Sequence, residues 1–121
     1  MRYLIDTHVF IFWGFGSLKK LRDTATEILR SPDYEVCVSA VSVSEIALKI
    51  KLGKLDLPAD FSRYIKLADY KELPLTTSQA QLAGSLELVH RDPFDRMLAA
   101  QGGRVLRGSR AGLARVLRVR S

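Results

Sequence analysis

RYLIDTHVF, residues 2–10, changes character in the middle. Tyr3, Leu4 and Ile5 suit a short strand, and Asp6 ends the run, because aspartate is depleted from strands and favoured where helices begin. Thr7 then reads as the cap of a short helix that closes near Gly14 to Gly16. A strand feeding straight into a helix is half of a βαβ unit. The rest of the chain decides whether that unit repeats.

It does repeat. SLKKLRDTATEILRS carries Leu18, Leu21, Ala25, Ile28 and Leu29 at helical spacing. Ser31-Pro32-Asp33 marks a turn, and YEVCVSA reads as a buried strand with β-branched Val36 and Val38 around Cys37. A helix is expected from about Ser42 to Leu52, with Gly53 at its end. LPADFSRYIKLADY sets Phe61, Tyr64, Ile65 and Ala68 on one face, which predicts an amphipathic helix. KELPLT is a strand, TTSQAQLAGSLEL a helix, and DPFDRMLAAQ a helix with Asp92 as cap and Pro93 at the first helical position. Alternating strands and helices predict an α/β layer fold with a parallel sheet.

Composition narrows the class. A chain of 121 residues is one domain with room for a single core. Its lone cysteine, Cys37, makes no internal disulfide, and the first residues lack a secretory signal, so the cytoplasm is the expected location. The apolar stretch from Val9 to Gly16 is too short to span a bilayer. The net charge of +6 is unevenly placed: residues 1–100 hold thirteen basic and thirteen acidic side chains, while 101–121 hold six arginines and no acid. That is a neutral domain with an arginine tail rather than a basic domain, and it does not by itself define a nucleic-acid groove.

The acids carry the chemistry. Ligands of a parallel α/β sheet collect beyond the carboxyl ends of its strands. Asp6 ends the first strand, Glu45 falls in the first turn of the helix after the second, and Asp95 in the first turn of the helix opened by Asp92-Pro93. Each also has a structural explanation: Asp6 as strand punctuation, Ser42 to Glu45 as a capping box or Glu45 with Lys49 as a helical ion pair, Asp95 as a favourable charge at a helix start. Three carboxylates at one edge repel one another unless a cation lies between them. Oxygen ligands suit Mg²⁺ or Mn²⁺.

RYLIDTHVF, VSAVSVSEIALKIKLGKLDLP and HRDPFDRMLAAQ, in that order and spacing, resemble the three signature regions of PIN-domain nucleases, in particular VapC-type toxins of bacterial toxin–antitoxin pairs. The resemblance covers residues 1–101, leaving 102–121 as an atypical arginine-rich tail. It implies a three-layer α/β/α sandwich around a central parallel sheet. It implies RNA cleavage with Mg²⁺ or Mn²⁺, with Asp6, Glu45 and Asp95 as metal ligands and catalytic residues. It also implies a VapB-type antitoxin, an RNA substrate such as tRNA or rRNA, and a homodimer. Thr7 and Asp92 are candidate supports around the ligands, through a hydroxyl and a carboxylate, though each also serves as a helix cap. His8 fits a partly buried packing residue better than a catalytic one, and His90 and Arg91 could meet a phosphate. The dense aromatics Phe10, Phe12, Trp13 and Phe15 exceed one helix face, so part of the set is expected to meet a partner.

The tail departs from the family pattern. VapC-like chains place a further strand, ending in a fourth acid, after the third; here no Asp or Glu follows Asp95. GGRVLRGSRAGLARVLRVRS uses only six residue types, as a GC-rich gene read out of frame would. The last strand is therefore expected to be altered or missing, with RVL at 104–106 able to pair as a short edge strand. Impaired cleavage follows, and the alternative function is a remnant that binds an antitoxin, and RNA through its arginines, without cutting.

Overall fold

The computed structural model describes residues 2–16, 23–86, 92–108 and 114–117. The chain runs β1 (Arg2–Ile5), α1 (Thr7–Phe15), α2 (Asp23–Arg30), β2 (Glu35–Ser39), α3 (Ala40–Lys51), α4 (Arg63–Leu67), β3 (Lys71–Leu73), α5 (Thr77–Ser85), α6 (Pro93–Gly108) and β4 (Ala114–Leu117). The four strands form one parallel sheet in the order β3-β2-β1-β4. This is the mixed α/β architecture expected from the alternation of strands and helices.

Strand periodicity builds the two layers of core. Successive strand side chains point to opposite faces. Leu4 pairs in register with Cys37 and both join Val41 and Leu98 in one buried cluster; Ile5 pairs with Val38, and these join Val36, Val9, Phe10, Ile46, Phe61 and Ile65 in the other. Helices α1 and α4 thus cover one face and α6 the other, which is why β1 and β2 can be apolar on both sides. α3 contributes Val41 to one cluster and Ile46 to the other, so it straddles the carboxyl edge of the sheet.

Several boundaries differ from the sequence reading. The second long helix starts at Ala40, not Ser42: Ser39 is extended and its Oγ accepts from the Val41 N–H at 2.9 Å, so the true cap lies three residues earlier. Ser42 and Glu45 consequently lie inside the helix and form no capping box. A capping box does occur at Thr76 and Gln79, at the start of α5. The helix expected over 57–70 is only α4; residues 58–62 make i to i+3 turns before it. β3 stops at Leu73, since Pro74 has no N–H to give a ladder. The helix expected over 17–31 is described only from Asp23, and His90 and Arg91 lie outside the described residues.

The tail gives the largest correction. α6 continues through Gly108, so residues 104–106 are helical, and the strand that follows is Ala114–Leu117. It pairs in parallel with β1, Ile5 opposite Leu117. A last strand is therefore present, and β1 lies inside the sheet between β2 and β4.

Candidate active site

Strand order places the site. The chain steps outward from β1 to β2 and β3 on one side, then returns through α6 to β4 on the other, so the order reverses at β1. In open parallel sheets the ligand crevice lies at the carboxyl end of the strands where this happens. Asp6 is the first residue beyond β1 there.

Asp6 is 7% exposed and caps α1: with φ −76° and ψ 170° it is extended, and Oδ1 accepts from the Val9 N–H at 2.9 Å. The cap was expected at Thr7, which instead opens the helix and turns its hydroxyl to α3. Thr7 Oγ1 donates to Glu45 Oε1 at 2.7 Å and is hydrogen-bonded to Ser42 Oγ at 2.9 Å. A hydroxyl has one proton and an ionised carboxylate only accepts, so the chain of donation runs from Ser42 to Thr7 to Glu45. Glu45 is 2% exposed, and its second oxygen, Oε2, meets Lys49 Nζ at 2.9 Å. Burial makes that pairing necessary, because an unpaired carboxylate inside a protein is costly. The one-turn spacing to Lys49 legible in the sequence is used.

Asp95 is half-buried in the first turn of α6, whose start is capped by Asp92: Phe94 N–H donates to Asp92 Oδ1 at 2.9 Å. The structure therefore joins Thr7, the neighbour of Asp6, to Glu45 through a hydrogen bond and places Asp95 on the helix packed against α3 and β4. Among the described residues, no three His, Cys, Asp or Glu side chains form a group that could hold a metal ion. His8 is exposed, against a tilted Phe12 ring at 6.3 Å, so it is not a buried packing residue.

Polar residues overlooked in the sequence lie close by. Ser39 and Gln101 are fully buried; Ser39 Oγ donates to Gln101 Oε1, and Gln101 Nε2 donates to the Pro74 carbonyl at 3.3 Å. Arg96 reaches back to α5, giving hydrogen bonds to the carbonyls of Ala83, Gly84 and Leu86. No local pattern announces either, because their partners lie on other elements.

A parallel sheet with two buried carboxylates, Asp6 and Glu45, beyond the carboxyl ends of its strands is the class of α/β fold that the geometry defines. The chain belongs to the PIN domain family, whose model matches residues 3–104. Nuclease chemistry, typically with divalent metal ions, is what that family generally carries. No curated protein and no solved structure matches the chain. Among the described residues, no helix is long and apolar enough to cross a membrane.

Proposed function

We propose that this chain is a metal-dependent endoribonuclease of the VapC toxin type, working at Asp6, Glu45 and Asp95. The observation that carries the reading is that two acids are buried beyond the strand ends of a parallel sheet and held there by hydrogen bonds, Asp6 by the Val9 N–H and Glu45 by the hydroxyl of Thr7, the residue next to Asp6. A stable core seldom buries carboxylates without a task for them. The donor chemistry fits Mg²⁺ or Mn²⁺: all candidate ligands are oxygens, and Mg²⁺ is usually held by one or two carboxylates with waters and phosphate oxygens completing its shell. Asp6 and Glu45 would supply that minimum, with Asp95 from α6 as the third.

When bound, such an ion supplies an activated water and charge stabilisation for a phosphodiester. The protein's own part is orientation. Val9 N–H fixes one oxygen of Asp6, Thr7 fixes one oxygen of Glu45, and Lys49 balances the Glu45 charge from the partly exposed side. The reading extends to a VapB-type antitoxin as cognate partner, a homodimer and a cytoplasmic setting, with tRNA or rRNA as substrate.

A second reading has its own observations: no acid follows Asp95, and no three-ligand group forms among the described residues. On it the chain is a PIN-domain remnant that binds an antitoxin, and RNA, without cleavage. An out-of-frame tail would account for the loss, and sequencing the locus for a Thr-x-Asp strand in another frame tests that origin. Incubating purified protein with structured RNA, in Mg²⁺ or Mn²⁺ against chelator and beside Asp6→Asn, separates the two functions. Metal-dependent cleavage lost in the variant supports the nuclease; a folded protein that never cleaves supports the remnant.

A further inference from the structure

We infer that Gln101 is a positioning residue: its buried amide sets the placement of the helix that carries Asp95 relative to the helix that carries Glu45. The inference rests on the metal-dependent reading above. Gln101 lies on α6 about 9 Å of helix rise beyond Asp95, and it is fully buried. Both ends of its amide are engaged. Oε1 accepts from Ser39 Oγ, the same hydroxyl that accepts the Val41 N–H at 2.9 Å and so starts α3; Nε2 donates to the Pro74 carbonyl, just past β3. One side chain thus ties α6 to the carboxyl ends of two neighbouring strands.

Apolar contact alone leaves this geometry loose. Leu98 and Val41 meet between α6 and α3, but dispersion is non-directional and tolerates small shifts along a helix. Hydrogen bonds to a buried amide do not, because a slip leaves polar groups unpaired where water cannot replace the partner. An ion shared by Asp95 and Glu45 would need those ligands held to within about 0.5 Å of the productive arrangement, and Gln101 would supply that restraint through the placement of α6 rather than as a ligand.

The test is Mn²⁺ affinity of the full chain, read by electron paramagnetic resonance of free ion, with thermal unfolding measured in parallel. Gln101→Met and Ser39→Ala should each weaken Mn²⁺ binding about tenfold, as loss of outer supports does, and the double variant little further because the two act as one unit. Ser39→Thr, which keeps the hydroxyl, should restore most of the affinity. Gln79→Met removes another buried amide, in the α5 capping box, and should lower stability while leaving Mn²⁺ affinity unchanged. Should Gln101→Met fail to fold, the Ser39→Ala and Ser39→Thr pair decides. Wild-type affinity in Ser39→Ala, or in a folded Gln101→Met, overturns this inference alone. Wild-type protein that binds Mn²⁺ no better than Asp6→Asn overturns the metal reading and this inference with it.

Discussion

At the scale of the residue, Asp6 caps α1 and, on the proposed reading, also holds the ion, and substitution can separate the two. Asn caps a helix about as well as Asp, so Asp6→Asn should keep the fold within a few tenths of a kcal/mol and abolish cleavage; Asp6→Ala should also cost about 1 kcal/mol of stability through loss of the cap. Urea unfolding beside the cleavage assay distinguishes these outcomes, and equal stability of the two variants would contradict the capping role. Thr7→Val preserves shape but leaves Glu45 Oε1 without its 2.7 Å donor, so a loss of about 1–3 kcal/mol is expected. Gly14 is a matter of space: a Cβ there would lie 2.7 Å from Cε2 of Tyr64, whose ring is wedged between Phe10, Phe15 and Tyr70. The aromatics that looked too dense for one helix face are in part absorbed by this inner cluster. Phe12, Trp13 and Phe15 remain partly exposed, with Arg30 stacked over Trp13 at 5.7 Å.

At the scale of the element, helix ends show where sequence and conformation agree. α3 closes with Gly53 at φ +73°, Gly53 N–H on the Ile50 carbonyl and Lys54 N–H on the Lys49 carbonyl, the Schellman pattern. α4 closes in the same way, but the left-handed residue is Asp69 at φ +58°. A side chain in that region costs of order 1 kcal/mol relative to glycine. Asp69→Gly should therefore raise the thermal midpoint, whereas Gly53→Ala should lower it; a scan in which both moved the same way would sink the argument. Arg96 in turn joins two helices by meeting three carbonyls at the end of α5. Arg96→Met keeps the stem and removes the donors, and a loss of roughly 2 kcal/mol is expected by denaturant unfolding, given the strength of charged hydrogen bonds.

At the scale of the whole molecule, β4 completes the sheet beside β1. Removing residues 109–121 would leave the β1 edge with unpaired backbone groups beside an apolar core, and such edges recruit other chains. Light scattering should then show self-association absent from the full chain; a monodisperse truncated protein would mean that β4 contributes little. High pH probes the core from another side. Burial, with the Glu35 carboxylate nearby, raises the Cys37 thiol above its ordinary 9.0, and burial beside Tyr64 raises the Tyr70 hydroxyl above 10.0. Both groups lose their protons more readily when unfolded, so their contribution is full below pH 9 and declines as pH climbs through and beyond 9 to 10. Tyr70→Phe should flatten the fall in stability above pH 10, as read from urea midpoints across pH.

What the sequence determined by itself was local and periodic. The β-branched runs, the turn at Ser31 to Asp33, the Asp92-Pro93 start of α6, the Gly53 stop and the Glu45–Lys49 spacing are all consequences of near neighbours, and they were enough to give a parallel α/β fold. They also pointed to Asp6, Glu45 and Asp95 as candidate acids, without saying how each is held. The tertiary structure decided what depends on distant partners. Ser39 rather than Ser42 caps α3, and Thr7 serves Glu45 across the gap between α1 and α3 instead of capping its own helix. Gln101 finds its partners on β2 and beyond β3, and a compositionally narrow tail yields a strand because β1 offers it an open edge. Backbone propensity acts over a few residues, whereas satisfying a buried polar group or a strand edge depends on whatever the fold brings next to it.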